Sequence, residues 1–207
     1  MQKPIKLVLP PLEENCYILS DGEKNAVIID PGSCPEMIEK ELTKQQLTPE
    51  IILLTHGHFD HMSAAAYLKE KYGAKVYISE NDECMLSDRA KSGALIAPFF
   101  DYVSVQCDGH LKEGDIIKQG DLEIKVIETP GHSKGSVCFI CGDAIFAGDT
   151  VFKGSVGRTD LYLGDYRELD RSLKKLTSLS GDYYLYCGHG EDSTLNEERM
   201  FNPYIMR

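Results

Sequence analysis

Three imidazoles and a carboxylate crowd into Thr55-His56-Gly57-His58-Phe59-Asp60-His61, directly after the apolar run Ile51-Ile52-Leu53-Leu54. That density of nitrogen and oxygen donors suits a metal site better than a core. The chain has only six histidines, and five fall in three glycine-containing turns: this one, Pro130-Gly131-His132-Ser133 and Cys187-Gly188-His189-Gly190. His56 and His58, two apart at a strand exit, can converge on one ion. Asp60 and His61 follow as the chain enters a helix, so one turn can serve two neighbouring ions. The remaining ligands must come from a distance, and His132, Asp149 and His189 each stand in a Gly-flanked turn after an apolar strand. Alone, each would read as a hydrogen-bonded structural group or a turn cap; clustered, they read together as ligands. With no cysteine among the donors, the site is expected to be catalytic rather than closed and structural. Imidazole and carboxylate suit zinc, and nearly as well iron or manganese. His110, in Asp108-Gly109-His110, stands apart and reads as the cap of a surface loop.

Positioning such turns requires strands that end in them. Short β-branched runs predict strands over 5–9, 16–19, 26–29, 51–54, 76–78, 122–127, 137–140, 144–146 and 183–186. Helices fit 35–46, 61–72 closed by Gly73, 81–90, 166–177 and a short piece over 194–200. The mixture is α/β. An internal echo runs through it: Val27-Ile28-Ile29-Asp30 leads through a helix and a strand to the His56 turn, and Ile145-Phe146-Ala147-Gly148-Asp149 leads likewise to the His189 turn. Two similar halves with their ligands on one edge of the sheets are therefore expected. Residues 92–102, with Phe99, Phe100 and Tyr102, read as aromatic packing under a loop more readily than as a lid.

The 207 residues suffice for one full core, so a single domain over 1–207 is expected. A net charge of −11 argues against a nucleic-acid partner, since phosphate binding needs basic side chains to release counterions. No apolar run approaches a membrane span, and Met1-Gln2-Lys3-Pro4 lacks the apolar stretch of a signal peptide, which predicts a cytoplasmic protein without a membrane partner. The seven cysteines, odd in number and irregular in spacing, fit reduced and mostly buried thiols. Cys138-x-x-Cys141 has no second pair to complete a tetrahedral site and reads as part of a strand. Nothing in the pattern indicates an oligomeric state.

In this order, the motifs resemble those of the metallo-β-lactamase-fold hydrolases, whose signature is T-H-x-H-x-D-H followed by an isolated histidine, a bridging aspartate and a final histidine. The resemblance spans nearly the whole chain, taking in Asn15-Cys16-Tyr17, Asp30-Pro31-Gly32, Pro130-Gly131-His132-Ser133, Gly148-Asp149-Thr150 and Gly188-His189-Gly190. It implies an αββα sandwich with a metal pair at its edge: His56, His58 and His132 on one ion, Asp60, His61 and His189 on the other, Asp149 bridging. Within the family the chain is most similar to short, single-domain relatives of glyoxalase II, sharing Gly148-Asp149-Thr150-Val151-Phe152, Gly157-Arg158-Thr159-Asp160, and Asn196-Glu197-Glu198-Arg199 with Asn202-Pro203. Secreted β-lactamases and the longer tRNA-processing relatives fit less well. The resemblance implies two divalent ions, zinc or else iron or manganese, and hydrolysis of a small thioester or ester by metal-activated water that Asp60 orients. The cluster stays net positive after its carboxylates are counted, so an anionic substrate is expected, with Lys153 and Arg158 either holding its carboxylate or merely solvated. A thiolate leaving group needs little acid help, which favours a thioester over an amide. Because the chain ends at Arg207, without the C-terminal helical domain with which full-length glyoxalase II binds glutathione, the thiol stays open. The rival is a persulfide dioxygenase of the same fold, with a single iron on His56, His132 and Asp149; a catalytically silent binding module is the weaker alternative because no ligand position is missing.

Overall fold

Apolar residues run almost unbroken along the central strands, as in Ala26-Val27-Ile28-Ile29 and Ala144-Ile145-Phe146-Ala147, so each sheet buries both faces. In the computed structural model, which describes residues 3–206, this pattern gives four layers. Met1, Gln2 and Arg207, at the ends of the expected domain, lie outside the described residues. The first sheet runs, side by side, β1 (Ile5–Leu9), β2 (Glu14–Ser20), β3 (Asn25–Ile29), β4 (Thr48–Leu53), β5 (Lys75–Ser79) and β6 (Gly109–Leu111). The second comprises β7 (Ile116–Gln119), β8 (Leu122–Glu128), β9 (Val137–Cys141), β10 (Ala144–Gly148), β13 (Tyr184–Cys187) and β14 (Ser193–Thr194), in the spatial order β14-β13-β10-β9-β8-β7. A small hairpin, β11 (Val151–Phe152) with β12 (Ser155–Val156), follows β10.

Tyr17, Leu19, Val27, Ile29 and Leu53 from one sheet meet Val126, Phe139, Phe146 and Tyr186 from the other in the central core. Tyr17 sits edge-on to Phe146 at 5.3 Å between ring centres, and Phe146 stacks on Tyr186 at 5.2 Å; such pairs contribute about 0.5–1.5 kcal/mol each beyond area burial. The alternate residues point outward. Cys16, Ile18, Ile28 and Ile52 pack under α1 (Pro35–Gln45) and α3 (Ala65–Tyr72), while Ile127, Cys138 and Ile145 pack under α4 (Tyr166–Thr177) and α5 (Leu195–Phe201). This is the expected αββα sandwich.

The internal echo is topological. β3 and β4 pair in parallel through α1, and β10 and β13 pair in parallel through α4. Parallel pairing forces a crossover, so both ligand-bearing strands of a half end on the same edge. Asp165 caps α4 by accepting from the amides of Arg167 and Glu168, and Thr194 with Glu197 forms a capping box on α5.

Several boundaries differ from the sequence expectation. The helix over 61–72 is two pieces, α2 (Phe59–Met62) and α3, with Ser63 Oγ donating to the Phe59 carbonyl at the break. The helix over 81–90 is a 3₁₀ helix, Glu80–Leu86, because Asp82 turns inward to accept from backbone elsewhere. His110 caps no loop; it lies on edge strand β6 and its Nε2–H donates to Glu83 at 2.9 Å. β6, β7, β11, β12 and β14 went unforeseen, being too short or too polar to show periodicity. Cys138 and Cys141, three apart on β9, face opposite cores, and all seven cysteines are unpaired. Within 92–102, Phe100 packs on Phe59 at 4.7 Å and Tyr102 donates to the Leu86 carbonyl, whereas Phe99 is exposed.

The halves touch most tightly where Gly148, at φ +47°, would bring a Cβ within 2.3 Å of Thr55 Oγ1. Gly148→Ala is expected to lower stability by about 2 kcal/mol through backbone strain and displacement of Thr55, read as a lower urea midpoint at unchanged m.

Candidate metal centre

Each ligand-bearing turn leaves a strand at the sheet edge and is held by hydrogen bonds that aim its ring. Thr55, at the exit of β4, gives its amide to Asp30 Oδ1 at 2.7 Å and its hydroxyl to Asp30 Oδ2 at 2.6 Å. With that proton committed, Thr55 Oγ1 accepts from His56 Nδ1–H at 3.0 Å, leaving Nε2 bare. Asp30 Oδ2 also accepts from His61 Nδ1 at 3.0 Å. His132 Nδ1–H donates to the Arg158 carbonyl at 2.7 Å, and His189 Nδ1–H to the Leu12 carbonyl at 3.2 Å. Four rings are thus fixed through Nδ1 with Nε2 directed inward, the arrangement that orients metal-binding imidazoles.

The inward atoms form two neighbouring sets. Nitrogens of His56, His58 and His132 lie within 4.8 Å of one another, as do ligand atoms of Asp60, His61 and His189. Asp149 stands between them, with Oδ1 3.4 Å from His61 Nε2 and Oδ2 3.5 Å from His132 Nε2 and 3.9 Å from His189 Nε2. Gly188 permits this approach, since a Cβ there would come within 2.2 Å of Asp149 Oδ1. The first set is buried, whereas His189 keeps 28% of its side chain exposed, so the centre opens on that side.

Whether these residues fit metal is tested by what they leave unpaired. Buried His56 Nε2, His61 Nε2 and Asp149 Oδ1 have no hydrogen-bond partner, an arrangement costly unless a cation completes it. His58 makes the same point differently. Its Nδ1 lies 2.8 Å from His132 Nε2, so a proton on His58 bridges two rings at the place a cation would take. The seven residues fit a pair of ions.

Protonation follows from burial and neighbours. Burial, then the adjacent rings, holds His56 well below the ordinary imidazole value, and burial with His132 brings His58 down to about 3. For His61, burial opposes the charged ring, but Asp149 and Asp30 outweigh it and raise the group well above its ordinary value. Burial likewise opposes charge on Asp149 and Asp60; His61 holds the first well below the usual carboxylate range, and His189 with His61 lowers the second.

Two straps hold the turns together, and sequence reasoning missed one and gave the other no role. Asp82 accepts from Gly57 N at 3.0 Å, Gly135 N at 2.7 Å and Ser133 Oγ at 2.6 Å, tying the His56 turn to the His132 turn. Nothing local in the sequence marks it. Asn15 donates Nδ2 to the carbonyls of Cys187 and Gly190, and Tyr17 its hydroxyl to Cys187, securing the His189 turn to β2. Glu14, buried beside His61 with both oxygens unpartnered, was also unforeseen; burial raises its carboxyl well above the usual range. Lys153 and Arg158 lie on the surface and already have partners, Glu191 at 2.5 Å and Asp160 at 2.6 and 2.8 Å.

Two sheets flanked by helices, carrying a histidine and carboxylate cluster on one edge, are the architecture of the metallo-hydrolase superfamily. The sequence profile of the Metallo-beta-lactamase superfamily matches residues 9–189, and the chain belongs to that family. It is 34% identical over 197 residues to hydroxyacylglutathione hydrolase GloC of Haemophilus influenzae, covering 93% of each chain. The crystal structure of BLEG-1 B3 metallo-beta-lactamase superposes with a TM-score of 0.94 at 33% identity, covering 99% of this chain and 100% of that one. That of TTHA1623 in a di-iron-bound form gives 0.85 at 36%, covering 97% and 99%. Among the described residues no helix is long and apolar enough to cross a membrane.

Asp82→Ala strands two amides and a hydroxyl, and is expected to cost about 3 kcal/mol and to lower metal content, read by urea denaturation and elemental analysis; unchanged metal content would confine Asp82 to the fold. Because His61 holds its proton above its ordinary pKa in the metal-free chain, metal binding near neutrality must displace that proton. Affinity is therefore expected to fall as pH drops, by about tenfold per unit for each proton displaced, as measured by chelator competition.

Proposed function

We propose that the chain is a glyoxalase II-like thioesterase, acting on a small, anionic thioester or ester in a cytoplasmic setting and requiring two divalent ions, zinc or else iron or manganese. The observation carrying this is the pair of three-donor sets sharing the Asp149 carboxylate, all nitrogen and oxygen, with its open side at Asp60 and His189. Donor sets without thiolate that keep an open face belong to catalytic centres. His56, His58 and His132 would hold one ion, Asp60, His61 and His189 the other, with Asp149 shared. Divalent ions held there would supply a nucleophilic hydroxide near neutral pH and Lewis acidity toward a carbonyl.

The protein's own groups do the rest. Asp60 is kept ionised by His189, whose Nε2 lies 3.3 Å from its Oδ2, so it can accept a proton from water and orient it toward the open side. Buried walls around His56, His58 and His61 exclude bulk solvent from the inner face. Lys153 and Arg158, if they hold a substrate carboxylate, must exchange Glu191 or Asp160 for it; exposed pairs of this kind are weak enough to exchange. Similarity to the Haemophilus hydroxyacylglutathione hydrolase supports the thioester reading, and the di-iron form of TTHA1623 keeps iron open. The superposition on BLEG-1 supports a second reading, β-lactam hydrolysis.

The test is elemental analysis of protein purified without added metal, beside thiol release from lactoylglutathione and a simpler thioester, and nitrocefin hydrolysis. Two ions per chain with thiol release sustain the thioesterase. Nitrocefin turnover alone selects the lactam; about one iron, with oxygen consumed alongside a persulfide, selects dioxygenase chemistry. Asp60→Asn is expected to retain part of the metal and lose about 10²–10⁴-fold in turnover; unchanged turnover removes Asp60 from the chemistry.

A further inference from the structure

On the far side of the 3₁₀ helix that carries Asp82, three other donors converge. Glu83 follows Asp82 within that helix, Cys107 lies on the loop leading into β6, and His110 lies on β6 itself. Cys107 Sγ is 3.4 Å from Glu83 Oε1 and 3.9 Å from His110 Nε2, and His110 Nε2 is 2.9 Å from Glu83 Oε2. With zinc bonds near 2.3 Å to sulfur and 2.0–2.2 Å to nitrogen and oxygen, tetrahedral ligands lie roughly 3.4–3.6 Å apart. One ligand atom from each of the three residues lies within 4.8 Å of the others, and rotation of the Glu83 carboxylate with small side-chain shifts would bring the set to that spacing.

A thiol, an imidazole and a carboxylate in contact also suggest a nucleophilic relay, and the geometry argues against it. A relay passes through opposite ring nitrogens, one facing the thiol and the other the acid. Here one nitrogen, His110 Nε2, faces both partners. The three groups converge on a point, and protons fill it: Cys107 S–H and His110 Nε2–H both donate to Glu83.

We propose that Glu83, Cys107 and His110 form a second, surface metal site for a borderline-soft divalent cation such as zinc, separate from the histidine-rich centre. Binding releases the thiol proton to solvent and moves the His110 proton to Nδ1, leaving thiolate, bare Nε2 and carboxylate on the ion and water in the fourth position. A thiolate with an imidazole selects zinc-like ions over magnesium or calcium. Burial and then Glu83 raise the Cys107 thiol, so the metal-free cluster keeps its proton and affinity grows with pH. The ion would cross-link edge strand β6 to the segment whose Asp82 ties the two ligand turns together.

Cobalt(II) distinguishes this site from the main centre, because the proposed main ligands include no sulfur. Protein loaded with cobalt(II) in all its sites should show a near-ultraviolet sulfur-to-cobalt charge-transfer band, with one ion per chain more than the Cys107→Ser variant holds. The band should vanish in Cys107→Ser, vanish or shift in His110→Ala, and persist in Cys84→Ser, whose thiol is exposed next to Glu83. No band in the wild type, or a band surviving Cys107→Ser, overturns the site. All three positions are at or near the surface, so the variants should fold, and circular dichroism checks that they do. Thioester turnover plays no part in the readout, so failure of the thioesterase reading leaves this result intact.

Discussion

Burying ionisable groups beside one another is the constraint that shapes this molecule. His56, His58, His61 and His132 are almost wholly removed from water, as are Asp30 and Glu14. Desolvating such groups costs several kcal/mol apiece unless each finds a partner. The chain meets that cost on the outer side with Thr55, Asp30 and backbone carbonyls, and leaves the inner side unmet. Unpaired inward atoms are a standing electrostatic demand for cations, and hydrogen bonds through the outer nitrogens hold His56, His61, His132 and His189 in place.

That arrangement needs rigid turns, and the two-sheet scaffold provides them. Parallel pairs β3/β4 and β10/β13 deliver ligand-bearing turns to one edge, and the sheets' common core sets the distance between the halves. Within that frame, fine positioning comes from buried polar straps. Asp82 locks the His56 and His132 turns to each other, and Asn15 with Tyr17 locks the His189 turn to the opposite sheet. A carboxylate accepting from two amides and a hydroxyl tolerates little displacement, because each bond lost leaves a donor buried and unpaired.

Stability and activity therefore draw on the same groups in opposite senses. Asp60 and Asp149 repel each other and Glu14, which costs stability in the metal-free chain, and two dications would turn that repulsion into attraction. The Glu83 cluster repeats the logic at the surface, where protons hold together donors spaced for an ion.

How much of this was legible from residues alone divides along the range of the interactions. The sequence determined the α/β class, the central strands and the ligand candidates, because strand periodicity and the His56-to-His61 turn are local patterns that survive without neighbours. Helix interruptions at Ser63 and over Glu80–Leu86 were not legible: Ser63 Oγ takes the Phe59 carbonyl at the first, and at the second Asp82 reaches distant turns and overrides local propensity. Only the tertiary structure decided that Asp30, Asp82 and Asn15 hold the ligand turns, that Glu14 lies unpartnered beside them, and that Glu83, Cys107 and His110 meet. Each of those depends on contacts between segments far apart in the chain, and the burial that makes such contacts strong exists only once both sheets have packed.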